Sequence, residues 1–278
     1  MEETEHNPAA PASPPPPPPK PVNPLLSRIQ MPGETFALPS GGVFYTHGEL
    51  DDSVVNAEVR VHPMTAIDEI TIKTPDMLFS GDAVRDIFSR CIPQIKNVDK
   101  LLAKDVDFLL ICLRKVSYGD DMQLEHQHVC ENAKMHLYDV DVGEFIRKTK
   151  KIDPTSVSRT FTIKMPNDQV VRLQPISFKQ FISVMQISGN EDIQDPTKLR
   201  DIMVDSLASV IVSVDEVGDK QMIREWLAQV KPQYLRLIND HIDKTLEWGP
   251  EFTTTIKCKD CGEEVEIMAP LNPLAFFT

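Results

Sequence analysis

Late in the chain stands Thr253-Thr-Thr-Ile-Lys-Cys258-Lys-Asp-Cys261-Gly262-Glu-Glu-Val-Glu-Ile-Met268. Two short runs with β-branched residues flank a Cys-x-x-Cys-Gly turn, the way a zinc knuckle is written on a β-hairpin. Two thiolates are held close together, and the glycine after the second permits a positive φ. A structural zinc takes four ligands, so half a site implies another half elsewhere. The comparable stretch upstream is His126-Gln-His128-Val-Cys130-Glu-Asn-Ala133-Lys-Met-His136-Leu-Tyr-Asp-Val-Asp-Val142. It too has a polar turn and then a strand-like alternation. Read as the two halves of one split site, the turns place Cys130, His136, Cys258 and Cys261 around one metal ion. Such a Cys₃His set is closed: it leaves no open position, and its zinc ties distant segments together.

Composition bounds what such a chain can be. Of 278 residues 41% are hydrophobic, enough for a real core in one large domain or two small ones. No apolar run approaches the ~20 residues of a membrane helix, and no apolar signal region opens the sequence. The expectation is a soluble protein that stays where it is made, without a membrane partner. Five cysteines without framework spacing argue against a secreted disulfide scaffold. Cys91 and Cys112 fall inside apolar helical patterns and read as core residues. A formal charge of −13 weighs against nucleic acid as a partner, because that binding rests on cationic contacts to phosphate.

Taken in order, residues 1–30 read as a disordered proline-rich tail. Ten prolines fall among the first 24 residues and Pro14 to Pro19 are consecutive, which favours extended polyproline II over helix or sheet. Order should begin near Phe36, with a turn at Ser40-Gly41-Gly42. Alternation from Val54 to Val61 predicts a strand. Helices are expected from Thr65 to Ile72 with Thr65 as cap, from Ser80 to Ile92 ahead of Pro93, from Asp105 to Tyr118 ahead of Gly119, and over Asp141 to Lys150. Thr160 to Leu173 reads as a hairpin turning at Pro166-Asn-Asp. A helical block over 177–248 follows, with helices at about Ser177–Ser188, Pro196–Val214, Asp219–Val230 and Pro232–Trp248. The Cys-x-x-Cys hairpin occupies 251–270. The whole is expected to be α+β: hairpins carrying split zinc-ribbon-like knuckles plus a helical block, in a single domain over 31–278.

Several signals occur in one order along the chain. They are Leu38-Pro-Ser-Gly-Gly-x-x-Tyr45, a strand ending in His62-Pro-Met-Thr65, and an Asp-x-x-x-Leu-x-x-x-Arg-x-x-Ser-Tyr-Gly helix exit, Asp105 to Gly119 here with slightly shifted spacing. A knuckle with its strand, a hairpin, a helical block and a final Cys-x-x-Cys-Gly hairpin ahead of Phe276-Phe277 complete the series. Over residues 36–278 this order resembles the T4-type contractile-phage baseplate hub and hub-assembly proteins. The resemblance implies a hub subunit or a chaperone for hub or tape-measure assembly. Such a protein works by protein–protein binding in the host cytoplasm, or in the virion at the tail baseplate. Against a paired Cys-x-x-Cys pattern, Ala133 stands where a second cysteine would be, and His128 or His136 is then the substitute nitrogen ligand.

Catalysis finds no support in the residues. There is no Gly-rich phosphate loop, no Gly-x-Ser-x-Gly elbow and no His-Glu-x-x-His spacing, so no catalytic residue and no small-molecule substrate are assigned. Structural zinc is the one cofactor the pattern suggests; the alternative is a former metal site whose hairpins still pack after losing a ligand, with no cofactor at all. The competing function class is a cellular zinc-ribbon adaptor in transcription or protein quality control. A basic face would favour it, and basic residues cluster only at Lys148, Lys150 and Lys151. Met203, Met222, Ile223 and Trp226 are the expected exposed or half-exposed anchors for partners.

Overall fold

The structure is a computed structural model that describes residues 32–46, 48–130, 134–152, 160–188, 196–245 and 247–269. The proline-rich segment read as a tail lies outside the described residues, as do Ala133 and Phe276-Phe277. The architecture is α+β, built from small antiparallel sheets and short helices.

The first strand among the described residues is β1 (Glu34–Ala37), which pairs antiparallel with β2 (Glu58–Val61). The strand expected from Val54 covers only its second half. Asn56 and Ala57 both take φ of 55°, a left-handed conformation that breaks extended pairing and leaves Val55 exposed. Helix α1 (Ala66–Ile72) starts at a capping box: Thr65 Oγ1 accepts from the Asp68 amide while the Asp68 carboxylate accepts from the Thr65 amide. A helix not anticipated, α2 (Pro75–Ser80), has Pro75 in its first turn, where a missing N–H costs nothing. Gly81 at φ 78° then turns the chain into α3 (Asp82–Cys91).

Helix α4 (Ala103–Tyr118) is the spine of the larger core. Phe108, Leu109, Ile111, Cys112 and Leu113 are all buried in it. A buried carboxylate at its first turn, Asp105, holds the loop that follows β1. It accepts from the Ser40 amide at 3.0 Å, the Ser40 hydroxyl at 2.5 Å and the Tyr45 hydroxyl at 2.6 Å. Beyond Gly119 come β3 (Asp121–His126) and β4 (His136–Asp141), then α5 (Val142–Lys148), capped by the Asp141 side chain. Burial alternates along both strands, so Met122, Leu124, Tyr138 and Val140 face the core.

A second core forms around β5 (Phe161–Lys164) and β6 (Val170–Leu173), which pair as the expected hairpin. Helix α6 (Phe178–Ser188) turns Phe178 and Ile182 back into the first core. Helix α7 (Pro196–Val210) stops earlier than its apolar spacing predicts. Ile211–Val214 is instead a strand, β7, laid against β6. Three of its four residues are β-branched, a composition that favours the pleated state over another helical turn. Helices α8 (Lys220–Gln229) and α9 (Pro232–Thr245) cover this sheet, burying Ile223, Leu227, Tyr234 and Ile238 with Val171, Leu173 and Ile211.

The C-terminal hairpin is β8 (Thr253–Lys257) and β9 (Glu264–Met268), paired from Thr253↔Met268 to Lys257↔Glu264. Its Ile256 and Ile267 join the first core, together with Tyr138 and Val140 of β4. The two hairpins that carry the cysteine turns therefore share one apolar core, although they stand far apart in sequence.

Candidate metal centre

Each half of the centre is shaped by backbone. In the C-terminal hairpin the Cys258 amide donates to Glu263 O at 2.8 Å and the Gly262 amide to Cys258 O at 2.9 Å. That tight closure requires φ of 77° at residue 262, which glycine adopts without a Cβ clash. Backbone N–H groups of Cys261 and Asp260 then point at the Cys258 sulfur. Chiefly for that reason its thiol is lowered to about 6, while burial works in the opposite sense. The turn between β3 and β4 supplies the other half, with His128 and Cys130 two residues apart; the Cys130 amide bonds His128 O at 3.0 Å.

The halves meet. Ligand atoms of His128, Cys130, Cys258 and Cys261 all lie within 4.8 Å of one another. Cys261 Sγ is 3.5 Å from His128 Nδ1. Around a tetrahedral ion with bonds of about 2.0 to 2.3 Å, neighbouring donors sit roughly 3.3 to 3.8 Å apart. Seating an ion would thus draw the widest pair together by only about 1 Å. Burial raises the Cys130 thiol to about 12, and its two neighbouring sulfurs add to the shift. Burial and the neighbouring sulfurs disfavour ionisation of Cys130, and a cation at the centre of the cluster would reverse that balance. The cluster could hold a metal.

Cys130, Cys258 and Cys261 from the sequence reading stand in this group, and His136 does not. On β4 the His136 ring follows the alternation of Tyr138 and Val140 and reaches the middle of the opposite turn. There its Nε2 lies 2.9 Å from Asp260 Oδ1. The nitrogen donor in the group is His128, the other histidine open to the role. One signal favours it in the sequence: His-x-Cys within a single turn lets both side chains converge, whereas His136 already belongs to a paired strand. Nothing in the sequence pointed to Lys259 and Asp260, the two residues between the cysteines. Lys259 Nζ donates to Leu137 O at 2.5 Å, its amide to the Tyr138 hydroxyl at 3.3 Å, and its ammonium sits 5.2 Å from the Tyr138 ring centre.

A family model described as T4 bacteriophage base plate protein matches residues 32–278. The chain belongs to that family. The match spans both cysteine turns and everything between them. No curated protein and no solved structure matches the chain. Membership makes this base plate protein a component of phage tail structure or assembly and implies that it contacts other baseplate proteins. Among its described residues no helix is long and apolar enough to cross a membrane.

Proposed function

We propose that this base plate protein is a non-enzymatic subunit of the baseplate hub, or a chaperone of hub and tape-measure assembly, acting by binding those proteins. The observation that carries the reading is the family match across residues 32–278, joined to a signal order that resembles hub and hub-assembly proteins. It would act in the host cytoplasm and at the tail baseplate. The same match disfavours a cellular zinc-ribbon adaptor.

Within this reading the metal is zinc, and its role is structural. Three thiols and one imidazole suit a tetrahedral, borderline-soft ion, and four protein donors leave no position for a substrate. The turns would then be knuckles of a split zinc-ribbon-like site, and residues 31–278 one domain. Met203 and Met222, 59% and 60% exposed, suit the adaptable surface of a partner-binding face.

Co-expression with the hub and tape-measure proteins, followed by pull-down, tests the function. A stable complex with at least one of them is expected. Recovery of this chain alone in every pairing, with normal tails assembled in its absence, would refute it.

A further inference from the structure

Resting on the reading of the Cys/His cluster as a metal site, we propose that Asp260 and His136 form a positioning pair. It docks the two cysteine turns against each other, so that the metal enters a site already assembled.

The two turns come from hairpins far apart in sequence, and four sulfur and nitrogen donors must converge within a few tenths of an ångström for tetrahedral binding. Asp260 sits between Cys258 and Cys261 and spans the gap with both oxygens. Oδ2 accepts from the Lys134 amide at 3.0 Å and Oδ1 pairs with His136 Nε2 at 2.9 Å. A carboxylate only accepts, so the ring must carry its proton on Nε2. That fixes His136 as a donor to Asp260, with this nitrogen directed away from a metal. Lys259 adds its bonds to Leu137 O and the Tyr138 hydroxyl. Both residues between the two cysteines are therefore committed to β4 and the turn before it. Ile256, Ile267, Tyr138 and Val140 bury the bases of both hairpins in the shared core.

None of these contacts includes a metal ligand, so they hold without an ion. This differs from a small zinc finger, whose fold is assembled by its metal. Side chains that hold metal ligands in place typically cost 10- to 100-fold in affinity when removed (~1.4–2.7 kcal/mol).

Cobalt(II) titration of the chelator-treated full chain tests the pair, with tetrahedral d–d bands and thiolate charge transfer as the signature. The wild type should retain its far-ultraviolet circular dichroism after chelation and then take up one equivalent. D260A and H136A should bind about 10- to 100-fold more weakly with an unchanged band envelope, because the Cys₃His donors are the same. H136Q keeps an N–H for Asp260 and should return to within a few-fold of the wild type. H128A should alter the envelope itself. Wild-type affinity in D260A, or an altered envelope in H136A, would overturn the positioning role and leave the metal site standing. Loss of folded signal on chelation would overturn the claim of a site assembled beforehand. Failure of the wild type to bind cobalt at all would take down the metal reading and the pair with it.

Discussion

Asp105 accepts both the amide and the hydroxyl of Ser40, joining the first turn of α4 to the loop after β1 across 65 residues of chain. The carboxyl is fully buried, and burial raises it to about 6 despite these donors. Its folded pKa thus lies above the unfolded value of about 3.9, so the folded state binds the proton more tightly. The associated stability is fully present below about pH 4 and is lost as pH rises through about 6. A rise of that size corresponds to about 3 kcal/mol. Asn at this position does not titrate, so the stability of the wild type relative to D105N should improve by about 2 kcal/mol from pH 7 down to pH 4. Urea melts of both proteins check it; a difference constant across that range would contradict the assignment.

Tyr45 serves the same cluster in two directions. Its hydroxyl donates to Asp105 Oδ2 and accepts from the Leu102 amide at 3.1 Å. Tyr45→Phe leaves both groups short of a partner and should cost about 1–3 kcal/mol at neutral pH. It should also raise the Asp105 carboxyl further, moving the pH dependence upward. An unchanged urea midpoint would argue against the bond.

Gly81 links α2 to α3 at φ 78°, and a Cβ there would lie 3.0 Å from Ile182 Cγ1 and 3.2 Å from Phe178 Cζ on α6. Gly81→Ala therefore combines left-handed strain with overpacking, and each is worth about 1–2 kcal/mol. Thermal denaturation should show a clear loss of stability. A variant as stable as the wild type would argue against both the strained backbone and the close contact with α6.

On α8 neighbouring residues should behave oppositely. Ile223 is 1% exposed within the second core, so it is not the surface anchor its composition suggested. Ile223→Ala should cost about 2–5 kcal/mol. Exposed Met222→Ala should change stability by less than about 0.5 kcal/mol and act, if at all, on partner binding. Parallel denaturant curves and pull-downs separate the two outcomes.

Local chemistry explains what the sequence revealed. Thr65 with Asp68, Gly119 after α4 and the Pro166-Asn-Asp turn write caps and turns within a few residues, and each element lies where its signal stands. Strand β7 was hidden because Ile211 and Val214 continue the apolar spacing of α7; pairing with β6, a tertiary effect, decides their state. The cysteines advertised themselves by spacing. The His-x-Cys spacing was the one hint toward His128; deciding against His136 required knowing which face of β4 meets the Cys258–Cys261 turn. Asp260 looks like any turn residue until Lys134 and His136 are placed beside it.

The proposed metal ion would join the turns at residues 128–130 and 258–261. Elemental analysis of the purified, reduced full chain, prepared without added metal, tests it most directly. One zinc per chain is expected in the wild type, and a C258S/C261S variant should lose it. A well-folded wild-type protein that carries no zinc and takes up none when it is supplied would show that no metal joins the two turns.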